Sequence, residues 1–334
     1  MQKTTLVAII VAAVIVVCGA AAVVIMNNNN SSETADTIVG HTFEYKVVGN
    51  YEGAIVSGTQ KVTVLSEKDE RYEVKTERNI YADTSGGTRT VLWNDAETEW
   101  KNKTDITKPG TYSKEYKLST YWGTKTSKVY TSTVDSVKTT SYVLYDKISF
   151  ETVVEDGDNL YIYMMNSTDF MKGGKSAEPK VYKVSFDVDG TLVTADSSTY
   201  ALGGNIDVEI IDATGTANEV KNHVEVKLDT TTITNETTTS WELQNNSDSR
   251  GTKSGTSKVS TIWGVLDTTV YTSTKEGATN TSYYYKDIVP VKMSYLYDNG
   301  TNTIEFTAAV TEIAVGEEKI NTLDDLNKLI DGNN

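Results

Sequence analysis

The sequence predicts a mainly β protein, with an N-terminal transmembrane helix, two tandem duplicated antiparallel β-sheet domains of the meander type, and a short C-terminal helix. Three observations predict this fold class. The chain contains a long internal duplication, its apolar and polar residues alternate with a period of two in many segments, and its first apolar stretch is long enough to cross a bilayer.

The N-terminal segment predicts a membrane anchor. Leu6 to Met26 is an uncharged apolar stretch of 21 residues, and as a helix it spans roughly 30 Å, the thickness of the hydrocarbon core of a bilayer. Lys3 precedes this stretch, whereas the acidic residues Glu33 and Asp36 follow it. By the positive-inside rule the N-terminus is cytoplasmic, and the rest of a single-pass cell-membrane protein lies outside the cytoplasm.

Two other fates of this segment stay open. A cleaved signal peptide would use Leu6–Val17 as its apolar core and the small residues Ala20 and Ala22 at its cleavage site. A lipoprotein would carry an acyl group on Cys18, although the residue before it is larger than such sites usually have. Because the apolar stretch continues to Met26, we favour the retained anchor, and each alternative leaves the remaining chain outside the cytoplasm.

The internal duplication predicts how the remaining chain is organised. Residues 100–146 align with residues 241–287 at a constant offset of 141, and 18 of the 47 columns are identical. An upstream segment, 45–56, matches 182–193 at an offset of 137. Each copy has the size of an ordinary domain, so the duplication indicates two similar structural units in tandem.

The sequence therefore predicts six consecutive segments. They are a transmembrane helix over residues 1–26, a flexible polar stalk over 27–40, a first β repeat domain over 41–170, a linker over 171–180, a second β repeat domain over 181–315, and a short helix and tail over 316–334.

Strands are predicted wherever apolar or aromatic residues alternate with polar ones, since alternate side chains of a strand share one face. Five segments show this pattern: VYTST (129–133), KISFETVVE (147–155), NLYIYMM (159–165), VPVKMSYLY (289–297) and TIEFTAAV (303–310). Turns are predicted where Asn, Asp and Gly cluster, because these residues tolerate a positive φ. The predicted turns are Asn50–Gly53, Ser85–Gly87, Asp156–Asp158, Asp187–Gly190 and Asp298–Gly300.

The C-terminal residues have helical spacing. Leu323, Leu326 and Leu329, together with Ile330, fall on one face of a helix. Thr322 stands three residues before Asp325, the spacing of an N-terminal cap. We expect one short helix that docks on the second repeat.

The end of each repeat resembles a known family. A Trp-Gly strand, a VYTST strand, a Tyr-rich strand and an IVPVKM-like strand follow one another, and their order is similar to the sheet of lipoprotein-carrier and lipoprotein-localisation domains. That resemblance implies a curved half-barrel whose concave apolar face holds acyl chains. The candidate ligand-lining residues that it implies here are Tyr142, Tyr283 and Tyr285.

Composition and motifs argue against nucleic-acid binding and catalysis. A net charge of −15 disfavours binding to phosphate backbones. The only cysteine lies in the apolar stretch, and His41 and His223 occupy non-equivalent places in the repeats. Asp187–Gly190 is interpreted as a hairpin turn, with a weak calcium loop as the alternative. The sequence thus predicts no catalytic residue, no metal ligand and no cofactor.

The tryptophans are predicted to fill the cores. Trp100 is equivalent to Trp241 and Trp122 to Trp263, while Trp93 stands alone. Large aromatic residues at one repeat position most often lie in the core, where each buries roughly 150–250 Å². The alternative is an exposed aromatic surface that stacks on sugars or binds a partner.

A structural or interaction role is the function that the sequence favours. Its expected partners are the membrane, through the N-terminal helix, and an envelope or surface protein, a glycan or a lipid. A carrier or sensor of an apolar ligand is the alternative function. Candidate glycosylation sites outside the cytoplasm follow the Asn-x-Ser/Thr pattern at Asn102, Asn166, Asn235, Asn245, Asn280 and Asn299.

Overall fold

The computed structural model describes residues 33–84, 86–172, 182–244, 250–275 and 277–331. The predicted transmembrane helix from Leu6 to Met26 lies outside these residues, as does the sequon at Asn245. In the part of the chain that is described, no helix is long and apolar enough to span a bilayer.

Strands dominate both halves of the chain. The first half contains β1 Glu33–Thr34, β2 Thr42–Tyr51, β3 Ala54–Lys68, β4 Arg71–Asp83, β5 Arg89–Asn102, helix α1 Lys103–Thr107, β6 Thr111–Thr120, β7 Gly123–Val134, β8 Val137–Leu144, β9 Ile148–Asp156, β10 Asn159–Thr168 and β11 Met171–Lys172. The second half contains β12 Tyr182–Val193, β13 Thr199–Ala213, β14 Ala217–Leu228, β15 Thr231–Leu243, β16 Thr252–Thr261, β17 Gly264–Lys275, β18 Ala278–Tyr285, β19 Val289–Asp298, β20 Thr303–Val315, β21 Glu318–Lys319 and helix α2 Leu323–Asp331.

The two main sheets have the same strand order. The first is ordered β5-β4-β3-β2-β10-β9-β8-β7-β6, and the second β15-β14-β13-β12-β20-β19-β18-β17-β16 with β21 added on β20. Each consists of two antiparallel meanders that join where its first strand pairs with its last long strand. The mainly β class, the two antiparallel sheets and the short C-terminal helix are thus confirmed.

One predicted turn is wrong. Asp187–Gly190 lies inside β12, where Asp189 pairs with Gly203 on one side and with Thr307 on the other. The segment forms a strand and not a turn because the alternating residues Phe186, Val188 and Leu192 are buried. Gly190 also allows the close approach of β20, since a Cβ there would clash with the backbone oxygen of Glu305.

The predicted flexible stalk over 27–40 is wrong from Glu33 onward. β1 pairs with β11, and Ile38 is buried in the first core. The Lys147 ammonium donates hydrogen bonds to the backbone oxygens of Ala35 and Asp36, at 2.8 and 2.6 Å. The burial of Ile38 and the hydrogen bonds to these two backbone oxygens outweigh the polar composition of this segment.

The described residues divide into two compact units. The first unit holds residues 33–172 together with Thr214–Ala217, the connection between β13 and β14, and the second holds 182–213 and 218–331. Of the predicted linker over 171–180, Met171 and Lys172 form β11, and the remaining residues lie outside the described part.

Each unit has an aromatic-rich core. In the first, Trp122 packs edge-on against Phe150 with the ring centroids 5.6 Å apart. In the second, Trp263 is buried and its indole N–H donates a 2.8 Å hydrogen bond to the backbone oxygen of Ile320. These two tryptophans are core residues, as predicted.

Helix α2 packs on the second core. Leu326 and Ile330 are fully buried there, and Leu323 is partly buried against the same core. At its start, the Thr322 hydroxyl oxygen accepts the backbone N–H of Asp325 at 3.2 Å. The predicted cap and docking face are both confirmed.

Candidate functional site

A surface cleft of about 560 Å³ opens at one end of the first sheet. We call it the Trp100 cleft. It is lined by one aromatic and five polar or charged residues: Lys68, Asp69, Glu70, Arg71, Trp100 and Asn102.

The turn between β3 and β4 and the end of the neighbouring strand β5 position these side chains. β3 and β4 meet at the Lys68–Arg71 pair, and Asp69 turns the chain with a φ of 54°, a conformation that Asp tolerates better than most residues. β5 pairs with β4 so that Asn102 lies opposite Arg71. The backbone N–H of Lys103 then donates to the Glu70 oxygen at 2.9 Å, which ties the start of α1 to the hairpin.

The prediction that Trp100 lies in the core is wrong. Trp100 is 43% exposed, whereas Trp241, its equivalent in the second repeat, is only 3% exposed. β5 is an edge strand of the first sheet, and most of its side chains face solvent. A duplicated sequence position therefore does not determine what covers it.

The chemistry of the cleft suits a polyhydroxylated ligand. An exposed indole face offers an apolar surface for the C–H groups of a sugar ring. Around it, the Asp69 and Glu70 carboxylates accept hydrogen bonds, the Arg71 guanidinium donates them, and the Asn102 amide does both. The histidine and cysteine side chains that nucleophilic or metal catalysis most often uses are missing from this lining.

The predicted tyrosines lie in different units. Tyr142, in the first unit, packs edge-on against Tyr116 at 5.4 Å between ring centroids, and its burial raises the pKa of its hydroxyl. In the second unit, Tyr283 packs against the core with the Lys292 ammonium 5.8 Å from its ring centroid. The Tyr285 hydroxyl donates to the side-chain oxygen of Asn327 in α2 at 3.0 Å.

A buried carboxylate is a feature that sequence reasoning missed. Glu151 is completely buried in the first unit. The hydroxyl of Thr214 and the backbone N–H of Gly215 donate to it, each at 2.9 Å, and the Thr216 hydroxyl donates to it as well. Burial raises its pKa to about 7, although these hydrogen bonds oppose the shift. In the sequence, Glu151 falls with Ser149 on the polar side of the alternating pattern. The register shift between β8 and β9 at this point brings Glu151 to the buried face.

The two histidines bond to neighbouring side chains. The Nδ1 atom of His41 lies 3.1 Å from a carboxylate oxygen of Asp169, and that of His223 lies 3.0 Å from the Thr237 hydroxyl. Within the described ranges, no group of three or more His, Cys, Asp or Glu side chains is placed to hold a metal ion.

The described sequons differ in accessibility. Asn102, Asn235 and Asn299 are exposed. Asn166 and Asn280 are partly buried, and in the described part of the chain their side-chain oxygens are buried without a hydrogen-bond partner. The first three are therefore better placed to receive a glycan.

The chain matches no protein-family model and no curated protein.

Proposed function

We propose that this protein is a membrane-anchored, extracytoplasmic surface protein with an interaction role, and that it contacts saccharide through the Trp100 cleft. The observation that supports this most directly is the exposure of Trp100 among five polar or charged side chains. Burying a large apolar side chain contributes up to a few kcal/mol, and folding does not bury the exposed part of Trp100. A ligand that covers this part would therefore gain hydrophobic free energy on binding.

The anchor is the other half of the proposal. The uncharged stretch from Leu6 to Met26 supports it, together with Lys3 before and acidic residues after that stretch. A protease added to intact cells should remove the chain that follows Met26. Full-length protein that resists until the cells are lysed would overturn the topology.

The binding role is tested with the purified full-length protein and polysaccharide extracted from the envelope of its own cells. Trp100→Ala should weaken binding at least tenfold, because the stacking surface is lost. Tyr112→Ala is the matched control, since Tyr112 is also an exposed aromatic residue of the first unit. Equal binding by the wild type and both variants would refute the saccharide contact.

A carrier of an apolar ligand in a half-barrel is the alternative proposal. The Tyr285 hydroxyl is hydrogen-bonded to Asn327 of α2, and the Tyr283 side chain packs against the core of the second unit. Because these contacts occupy two of the three tyrosines that would line such a cavity, we favour the surface contact. Lipid recovered by solvent extraction of the purified protein would reverse this preference.

A further inference from the structure

We propose that Asn102 carries an N-linked glycan and that the first sugar of this glycan stacks on Trp100. This inference rests on the proposed extracytoplasmic location, and it names the saccharide of the Trp100 cleft as one attached to the chain itself.

Strand geometry places the two residues together. Trp100 and Asn102 are both in β5, where they pair in continuous register with Glu73 and Arg71 of β4. Residues two apart in a strand point to the same face, roughly 7 Å from each other. Both side chains are exposed and both line the cleft. A sugar on Asn102 is thus within reach of the indole face.

The attachment chemistry is available at Asn102. Asn102, Lys103 and Thr104 form an Asn-x-Thr sequon, and Asn102 and Thr104 are exposed. Transfer from a lipid-phosphate-linked sugar forms a bond between Nδ2 and the anomeric carbon, breaks the bond from that carbon to the phosphate oxygen, and releases one Nδ2 proton. The remaining Nδ2 hydrogen can keep the 3.0 Å bond to the Asp105 carboxylate.

The second repeat offers an internal comparison. Trp241 is buried, and the residue two positions after it is Leu243, so the sequon is missing where the indole is covered by protein. The sequon accompanies the tryptophan that protein leaves exposed.

Asn299 also has an aromatic residue two positions before it. However, Asn299 lies in the turn after β19, and its Nδ2 donates a 3.4 Å hydrogen bond to the Tyr297 hydroxyl, so its attachment atom meets the hydroxyl edge of that ring and not its face. The Asn299 side-chain oxygen accepts the backbone N–H groups of Thr301 and Asn302, at 3.0 and 2.8 Å. Asn102 is therefore the better case of a sugar placed over an aromatic face.

The test uses protein purified from its own cells. Mass spectrometry of the peptide that contains Asn102 should show an added oligosaccharide. Thr104→Ala should abolish this addition, and Thr104→Ser should keep it, because both hydroxyl residues complete the sequon. An unmodified Asn102 in the wild type would overturn the inference.

Stacking is tested by hydroxyl-radical oxidation of individual tryptophans. Trp100 should be oxidised several-fold more slowly in the wild type and Thr104→Ser than in Thr104→Ala, while the rate at Trp93 stays constant. Equal rates at Trp100 would refute the stacking. Binding of envelope polysaccharide separates the two proposals. If Asn102 is unmodified in the wild type and Trp100-dependent binding persists, only the glycan is refuted. If the glycan covers Trp100, Thr104→Ala should bind the polysaccharide more strongly than the wild type, because the indole face is then open.

Discussion

The carboxylate of Glu151 accepts a 2.9 Å hydrogen bond from the backbone N–H of Gly215, which is 64 residues away in the chain. Two threonine hydroxyls, from Thr214 and Thr216, donate to the other carboxylate oxygen. Within the first unit, the segment Thr214–Thr216 is thus held by a carboxylate that has no access to water.

The stability of the first unit should fall as the pH rises. Burial raises the pKa of Glu151 from 4.5 to about 7, so the folded state binds more protons than the unfolded state between these values. The contribution of protonated Glu151 to the free energy of unfolding is complete below about pH 4.5. It is lost as the pH rises through 7. At about 1.4 kcal/mol per pH unit, the free energy of unfolding should decrease by roughly 3 kcal/mol.

Urea unfolding at pH 5 and pH 8 measures this effect. Glu151→Gln should remove most of the decrease, whereas Glu155→Gln, on the same strand but partly exposed beside Lys138, should retain it. Tyr142, which lies opposite Glu151 across β8 and β9, stays neutral over this range because burial raises its pKa. An equal decrease in wild type and Glu151→Gln would exclude Glu151 as the source.

Gly215→Ala should destabilise the same contact. A Cβ at this position would lie 2.6 Å from the Glu151 carboxylate, the Leu118 side chain and the backbone oxygen of Ser119. Overpacking of this kind costs about 1–3 kcal/mol. Gly203→Ala is the control, because its Cβ would meet only Val188 O at 3.8 Å. If both variants unfold at the same urea concentration, the connection can shift without cost.

Tryptophans at different depths should differ in their contribution to stability. Trp263→Ala should lower the free energy of unfolding by about 3–5 kcal/mol, because a buried indole and its hydrogen bond to Ile320 are lost. Trp100→Ala should change it by less than about 1 kcal/mol, since that side chain is 43% exposed. Thermal or urea unfolding would disprove the assignment if Trp100→Ala were the more damaging change.

Helix α2 should be an integral part of the second unit. Leu326→Ala should cost about 2–5 kcal/mol, because Leu326 is fully buried in the second core. Lys328→Ala, on the exposed side of the same helix, removes only a surface ion pair with Asp325 at 3.6 Å and should cost less than about 1 kcal/mol. Similar urea midpoints for both variants would show that α2 is not docked in solution.

Strand positions could be predicted from the sequence because alternation is a local property. β9, β10, β19 and β20 begin within one residue of the predicted segments. Helix α2 could also be predicted from the sequence, because its apolar spacing and its Thr322 cap lie within a few residues of each other. The prediction of a turn at Asp187–Gly190 was wrong because it used only the local residue types. The pairing of β12 with strands on both sides depends on residues far away in the chain.

By itself, the sequence determined the class of the fold, the duplication and the residue types available for chemistry, since composition and periodicity carry these directly. Only the tertiary structure decided that Trp100 is open while Trp241 is covered, and that Glu151 is buried against Gly215. Burial depends on which residues far apart in the chain come together. Two copies of one sequence pattern can therefore place an equivalent side chain in water or in protein.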